Sequence, residues 1–117
     1  MIFVYSTFPS KREAKEIGEK LVEKKLAACV NVFPIDSIYS WRGEIVKNKE
    51  FAAIIKTRKE NFKKIEKFIL DYNPPTASSR AKGAGPYHSY DTPCILEIPI
   101  GRVTKKFLKW LNTTASK

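Results

Sequence analysis

The chain has 117 residues, 43% of them hydrophobic and 29% charged, which predicts one soluble globular domain with a core of its own. No apolar run approaches the roughly 20 residues that a membrane-spanning helix needs, and residues 1–5 lack the pattern of a signal peptide. We therefore expect a cytoplasmic protein without a membrane partner. The net charge of +10 leaves nucleic acid, anionic lipid or an acidic partner open, although lysines beside glutamates also fit a solvated surface. The absence of glutamine and the abundance of Lys, Glu and Ile are typical of thermostable proteins.

The first third of the chain predicts a strand, a helix and a second, longer strand. Residues 1–7 are apolar and β-branched or aromatic, which indicates a buried strand. Ser10 and Glu13 have the spacing of a capping box and predict the start of a helix. Residues 27–39 form the next strand, in which Pro34 requires a bulge or a sheet edge because proline cannot donate to a ladder.

A hairpin and a second helix follow. The turn at residues 41–44 offers Gly43 for a positive φ, and residues 44–57 return as the hairpin partner. Thr57 and Glu60 repeat the capping-box spacing and predict the start of the second helix. The apolar stripe of that helix comprises Phe62, Ile65, Phe68 and Ile69.

The last third of the chain begins with a stretch of different composition. Residues 73–87 are rich in Pro, Gly, Ser and Ala, which predicts a flexible inserted loop within the single domain 1–117. Residues 95–100 form the last strand. A short C-terminal helix follows, with an apolar stripe of Val103, Phe107, Trp110 and Leu111.

This order of elements predicts the fold class. Two right-handed crossovers around a central hairpin give a ferredoxin-like split βαβ sandwich, an α+β fold with an antiparallel sheet and an added C-terminal helix. The helices cover one face of the sheet. The other face carries apolar residues, so we expect it to meet another subunit.

The segment from His88 to Cys94 carries the candidate site chemistry. It holds the only histidine and one of two cysteines, and imidazole and thiolate bind soft and borderline transition metals well. Asp91 is the third candidate ligand, and copper is favoured by ligand type and affinity order. A closed tetrahedral site would need further ligands from across a subunit interface. Alternatively, His88 hydrogen-bonds a neighbouring subunit and Cys94 packs as a small hydrophobic residue.

Aromatic residues near the turns form a second candidate site. Tyr39, Trp41 and Tyr90 either line a cleft between subunits together with Lys56 and His88, or anchor a subunit interface, where aromatic side chains are favoured. Glu50 and Lys56 are either a buried polar pair in such a cleft or plain surface charges.

Several stretches of the chain resemble the CutA family of divalent-cation tolerance proteins. They are VYSTFP at 4–9, LVEKKLAACVN at 21–31, IYSWRGEI at 38–45, HSYDTP at 88–93 and FLKWL at 107–111. The resemblance implies a ferredoxin-like protomer in a tight, PII-like homotrimer whose long hairpin strands pair across subunits. It also implies a small cytoplasmic protein linked to tolerance of copper and other divalent metals, from a family not established as enzymes.

Two features depart from the family pattern. Cys94 stands where family members often carry an acidic residue. Residues 73–87 have no counterpart in the usual members, whose second helix runs almost directly into the histidine motif. A loop tip tolerates insertion well, so the predicted fold is unaffected.

Two other functional classes compete with the metal hypothesis. A basic, nucleic-acid-binding ferredoxin-like domain is the alternative, but residues 50–56 lack the stacking aromatics that an RNA-recognition domain carries on its third strand, so we do not expect a nucleic-acid partner. An acylphosphatase-like enzyme would need an arginine in an anion-cradling loop, and Arg12 within the first helix is a poor candidate. Because the sequence shows no paired base and nucleophile either, we do not expect an enzyme. Cys29, in an Ala-Ala-Cys-Val run, is expected to be a packed strand residue and a free thiol.

Overall fold

The computed structural model describes residues 1–72 and 93–116. Its elements in chain order are β1 (Ile2–Phe8), α1 (Lys11–Glu23), β2 (Cys29–Trp41), β3 (Glu44–Thr57), a 3-10 turn (Lys59–Asn61), α2 (Phe62–Asp71), β4 (Ile95–Pro99) and α3 (Lys105–Thr114). The predicted order is confirmed, with strand ends shifted by no more than two residues. The predicted loop at 73–87 lies outside the described residues. None of the described helices is long and apolar enough to cross a membrane.

The four strands form one antiparallel sheet in the order β2-β3-β1-β4. β1 and β3 are central, and β2 and β4 are the edges. This is the predicted ferredoxin-like arrangement, in which α1 connects β1 to β2 and α2 connects β3 to β4. In each case the two connected strands are not adjacent in the sheet.

The core lies between one face of this sheet and the helices α1 and α2. Alternate strand residues point to the same face, and the helix-facing residues of β1 and of the end of β3 are buried, whereas Val30, Val32 and Ile95 on the edge strands are partly buried. The largest buried side chains of this core are Val4, Phe8, Ile17, Leu21, Ile55, Ile65 and Ile69. Gly18 brings α1 close to the sheet, since a Cβ there would lie only 3.1 Å from a methyl carbon of Val30.

The hairpin of β2 and β3 is long and has no bulge. Thirteen residue pairs run from Cys29 opposite Lys56 to Trp41 opposite Glu44 in one unbroken register. Pro34 is accommodated because β2 is an edge strand. Of the two alternatives predicted for Pro34, a bulge or a sheet edge, the structure shows the sheet edge. The turn uses two positive φ angles, +53° at Arg42 and +81° at Gly43, which matches the right-handed twist of the strands.

The start of α2 differs from its prediction. The Thr57 hydroxyl does not cap a helix; it is buried and donates to the carbonyl oxygen of Leu26 at 2.6 Å. β3 continues through Thr57, and α2 begins at Phe62 after the 3-10 turn. The capping-box spacing was therefore misleading, because the polar side chain satisfies a carbonyl in the next segment of the fold instead.

Asn61 joins three parts of the chain at this corner. Its buried side-chain amide donates to the carbonyl oxygen of Ala115 at 2.8 Å, to the Thr57 hydroxyl at 3.1 Å and to the carbonyl oxygen of Leu26 at 3.2 Å. These contacts hold the end of α3 against the segment between α1 and β2. Leu111 completes the attachment as a fully buried residue of α3.

A second polar contact ties the two crossover helices together. The Tyr72 hydroxyl donates to a carboxylate oxygen of Glu16 at 2.6 Å. Burial, followed by this hydrogen bond, raises the pKa of Tyr72, and the same bond lowers the pKa of Glu16. The end of α2 is therefore fixed to the middle of α1.

The first helix begins and ends as its sequence dictates. Ser10 caps it by accepting from the backbone amide of Glu13 at 3.2 Å, as predicted. At the other end Lys24 stays right-handed, whereas Lys25 adopts a left-handed φ of +60°. The amide of Leu26 then reaches back to the carbonyl of Leu21 at 3.0 Å. This is the backbone geometry of a glycine-type helix end, occupied here by lysine.

Replacing Lys25 by glycine is expected to stabilise the protein. The left-handed conformation is strained for lysine and free of strain for glycine, so Lys25→Gly should raise the free energy of unfolding by about 0.5–1 kcal/mol. Lys24→Gly is the matched control and should lower it, because its φ is ordinary. Urea denaturation followed by circular dichroism measures both variants. Equal destabilisation by the two changes would contradict the prediction.

Candidate functional site

The face of the sheet turned away from α1 and α2 is the candidate functional surface, and we call it the bare face. Cross-strand neighbours on it include Phe3 opposite Lys56, and Tyr5 opposite Ile54 and Leu96. Its large apolar side chains remain well exposed in the single chain, between 38% and 43% for Tyr39, Trp41, Leu96 and Ile98. Such an apolar surface is typical of an interface or a binding site.

Cys94 lies at one end of this face, just before β4. Its backbone carbonyl accepts a 2.7 Å hydrogen bond from the Ser6 hydroxyl, which fixes the chain at the point where β4 begins. The side chain is half-buried and the thiol is free. Burial, and next the charge of Glu50, raise the pKa of the Cys94 thiol.

Tyr5, Glu50 and Cys94 form one electrostatic group, which we call the Cys94 cluster. Burial and the charges of Cys94 and Glu50 all raise the pKa of Tyr5. Glu50 comes from β3, Tyr5 from β1 and Cys94 from the start of β4, so three neighbouring strands contribute to it. The cluster places a thiol, a carboxyl and a phenol at one end of the bare face, and Lys56 lies at the other end.

Sequence reasoning did not identify Glu50 as a member of this group. Only 9% of Glu50 is exposed, although it stands in the charged run Lys47-Asn48-Lys49-Glu50 that resembles a solvated strand. The signal in the sequence was the position of Glu50 in the alternation of residues along the strand. Glu50 has the same parity as Ala52 and Ile54 and therefore shares their face of β3.

Lys56 lies at the opposite end of the bare face. Its ammonium group is 6.0 Å from the ring centre of Phe3 and 5.9 Å from that of Phe107, within the range of a cation–π contact. Six residues of strand separate Lys56 from Glu50, about 20 Å at 3.3 Å per residue. One chain therefore does not pair Glu50 with Lys56, and the pair considered from the sequence, in a cleft between subunits, stays a prediction.

Tyr39 and Trp41 lie near the tip of the hairpin, far from Lys56. Tyr39 pairs with Val46, which is ten residues and about 33 Å along β3 from Lys56. The side-chain amide of Asn48 donates to the Tyr39 hydroxyl at 2.7 Å and holds the ring in place. One chain does not bring these residues together, so a cleft that contains them would have to form between chains and stays a prediction.

Three predicted site residues, His88, Tyr90 and Asp91, lie outside the described residues. Within residues 1–72 and 93–116, no three His, Cys, Asp or Glu side chains form a group that would hold a metal ion. Cys29 lies on the bare face opposite Lys56, away from Cys94, and is likewise a half-buried free thiol. The described part of the Cys94 cluster holds one thiol, Cys94, and one carboxyl, Glu50, and these do not by themselves form a metal site.

Comparison with known proteins identifies the family. The family model described as CutA1 divalent ion tolerance protein matches residues 2–79, about two thirds of the chain. A curated relative, the divalent-cation tolerance protein CutA of Archaeoglobus fulgidus, is 45% identical over 112 residues, which cover 96% of this chain and 95% of that protein. The chain belongs to the CutA1 family. The CutA protein of Thermotoga maritima is 41% identical over 112 residues, with 96% of each chain covered.

Solved CutA1 structures share the fold over the whole chain. The structure from Archaeoglobus fulgidus superposes with a TM-score of 0.82 at 44% identity and covers 99% of this chain and 100% of its own. CutA1 from Pyrococcus horikoshii gives a TM-score of 0.82 at 31% identity, with 100% of both chains covered. The resemblance stated from the sequence is confirmed, as is the ferredoxin-like fold.

Removing the charge of Glu50 is expected to activate the Cys94 thiol. In a Cys29→Ser background, Glu50→Gln should lower the pKa of Cys94 and raise its rate of alkylation by iodoacetamide at pH 8 by about two- to three-fold, because only the thiolate reacts. Glu44→Gln is the matched control, since Glu44 is an exposed carboxylate on the same face of β3. A rate in Glu50→Gln equal to that of the control would show that the Glu50 charge does not act on Cys94.

Proposed function

We propose that this CutA1-family chain supports tolerance of divalent cations by binding a metal ion, copper above all, at the Cys94 cluster, without catalysing a reaction. The family supplies the class of ion, since the matching model and relatives carry divalent-cation tolerance in their names. The proposal is supported by the position of the half-buried Cys94 thiol at the end of the bare face, where the charge of Glu50 acts on it.

The donor types in the cluster fit a borderline or soft cation. A thiolate selects copper and zinc over magnesium or calcium, and copper binds most tightly among the divalent metals of the first transition row. Cys94 and Glu50 would provide two ligands, with His88 and Asp91 as the candidates for the remaining positions. An imidazole from His88 would complete a donor set suited to copper.

The identity of residue 94 also bears on the choice of metal, because the CutA resemblance places an acidic residue there in many members. Glu50 supplies a carboxyl on the same face of the sheet, and its charge acts on the Cys94 thiol. A thiol beside a carboxyl is a softer pair than two carboxyls. This chain is therefore expected to favour copper over harder divalent ions more strongly than relatives with an acid at that position.

Metal titration tests this proposal. Zinc serves as the redox-inactive divalent probe by calorimetry, and Cu(I) is measured against a chromophoric chelator under reducing conditions. Cys94→Ser and Glu50→Gln should each weaken binding at least about ten-fold, a loss typical of removing a ligand or its close partner. His88→Ala combined with Cys94→Ser should abolish it. Cys29→Ser is the matched control and should bind as the parent does. Unchanged affinity in the double variant would remove the proposal.

We further propose that the chain assembles as a homotrimer through the bare face and the hairpin. Where the hairpin extends beyond the core, it exposes apolar residues on both faces. On one face Ile38 is 71% exposed and Ile45 is 77% exposed, and Tyr39 and Trp41 lie on the other face. A single chain leaves this surface in water. Neighbouring chains that bury it would also bring the hairpin tip of one protomer towards Lys56 of the next and form the predicted cleft with Tyr39, Trp41 and Tyr90.

One charge on the bare face should disrupt the trimer. Leu96→Lys is expected to reduce the share of trimer and lower the melting temperature at low micromolar concentration, since a lysine there would be buried without a partner. Leu70→Lys is the matched control, because Leu70 on α2 is 41% exposed and Leu96 is 42% exposed. Light scattering and circular dichroism measure both. A monomer of the parent chain with a native circular dichroism spectrum at this concentration would contradict the proposal.

A cytoplasmic location is part of the same proposal. Both cysteines are free thiols, and free thiols persist best in a reducing compartment. The Archaeoglobus fulgidus structure is described as that of a periplasmic protein. Fractionation of cells that express the chain, with recovery in the periplasm or the membrane, would overturn a cytoplasmic assignment.

A further inference from the structure

The positive charge of the chain is concentrated at one end of the fold. The start of β2, the end of β3 and the chain leading into α3 meet there, since the amide of Ala28 donates to the carbonyl of Lys56 at 2.9 Å and the amide of Ile100 donates to the carbonyl of Met1 at 3.3 Å. We call this the basic end. Its basic residues are Lys24, Lys25, Lys56, Arg58, Lys59, Arg102, Lys105, Lys106 and Lys109.

The C-terminal segment provides the least compensated part of this charge. Residues 101–116 contain four basic residues and no acidic residue. Lys105, Lys106 and Lys109 are all exposed on α3, and among the described residues no ion pair involves them. On the other helices, two basic residues pair with acidic residues one turn away, Arg12 with Glu16 and Lys67 with Asp71. The charge of α3 is thus available to a polyanion.

An exposed aromatic pair lies within this charge. Trp110 was predicted as part of the apolar stripe of α3, but 45% of it is exposed. The centre of its ring is 5.5 Å from the centre of the Phe107 ring, at an interplanar angle of 44°. Phe107 therefore packs against one side of the indole and leaves the rest of the indole surface open to solvent. Lys106 is one helical turn from Trp110 and shares its side of the helix.

We propose that the basic end binds single-stranded nucleic acid, with Lys105, Lys106 and Lys109 on the phosphates and Trp110 stacked on a base. Aromatic platforms flanked by cations are the usual means of binding single strands without sequence preference. The ten residues of α3 extend about 15 Å, enough for two or three nucleotides. This surface differs from the sheet face that an RNA-recognition domain would use, and it is independent of the metal proposal.

An anionic membrane suits the basic end less well than a nucleic acid. A helix that lies in a lipid interface needs an apolar face to insert. The apolar face of α3 is already used against the protein, with Leu111 fully buried and Phe107 and Leu108 half-buried. Only Trp110 remains, and one indole between lysines matches a stacking site better than an inserting face.

Fluorescence anisotropy with a labelled ten-nucleotide oligothymidylate tests the proposal. With three phosphate contacts, the slope of log affinity against log salt should be about −2, so affinity falls about 16-fold between 50 and 200 mM salt. Lys105→Gln with Lys109→Gln should weaken binding about ten-fold at 50 mM salt and reduce the slope to about −0.7. Lys11→Gln with Lys15→Gln is the matched control, with two exposed lysines one turn apart on α1, and should leave both values unchanged.

The stacking contact has its own readout. In a Trp41→Phe background the remaining tryptophan is Trp110, and its fluorescence should be quenched as the oligonucleotide binds. Trp110→Ala should weaken binding about five-fold or more, whereas Trp110→Phe retains most of it. Equal losses in the α1 and α3 lysine variants, absence of quenching, or equal affinity for a duplex of the same length would each overturn the proposal. Binding to phosphatidylserine vesicles without binding to the oligonucleotide would also overturn it and assign the basic end to a membrane surface.

Discussion

The unbroken register of β3 with both of its neighbours determines where every candidate site lies. Because β3 runs without a bulge from Glu44 to Thr57, one set of alternate residues enters the helix-covered core and the other set faces the bare side. A slip of one residue would exchange the two sets, so that Ile55 would face the bare side and Lys56 the core. The same alternation places Glu50 on the bare face, on the side where Cys94 lies, and separates it from Lys56 by about 20 Å. The metal proposal and the separation of the metal site from the basic end both follow from this constraint.

The position of the basic end depends on the side chain of Asn61. Its two amide hydrogens are shared among three oxygen acceptors, on Leu26, Thr57 and Ala115, and all of these contacts are buried. Breaking a buried network of this kind leaves polar groups without partners at about 1–3 kcal/mol each, so the network specifies one orientation of α3. Leu111 fills the space beneath the helix, but apolar packing alone is not directional. The hydrogen bonds therefore determine which side of α3, with its lysines and Trp110, is exposed.

Periodicity and turn chemistry were enough to predict the elements, and local polar signals were less reliable. The strands, the Ser10 cap and the positive φ at Gly43 followed from the sequence because each depends on neighbouring residues alone. Thr57 was misread because its partner, Leu26, is 31 residues away in the chain. The environment of Glu50 was missed for the same kind of reason, since Tyr5 and Cys94, on which its charge acts, belong to other parts of the sheet. The exposure of Trp110 was not predicted, because helical spacing does not show how much of a short helix the protein can cover.

The polar groups of the bare face would connect the proposed assembly to the proposed metal binding. In a single chain Cys94 is half-buried and burial already raises its pKa. A neighbouring chain that covers the bare face would remove more water from the cluster and disfavour the Cys94 thiolate further. A bound cation reverses this effect, because it stabilises the two anionic groups in a medium of low dielectric constant. Assembly and metal would therefore depend on each other: burial alone opposes the charged ligands, and the cation compensates for their charge only where the surrounding surface is buried.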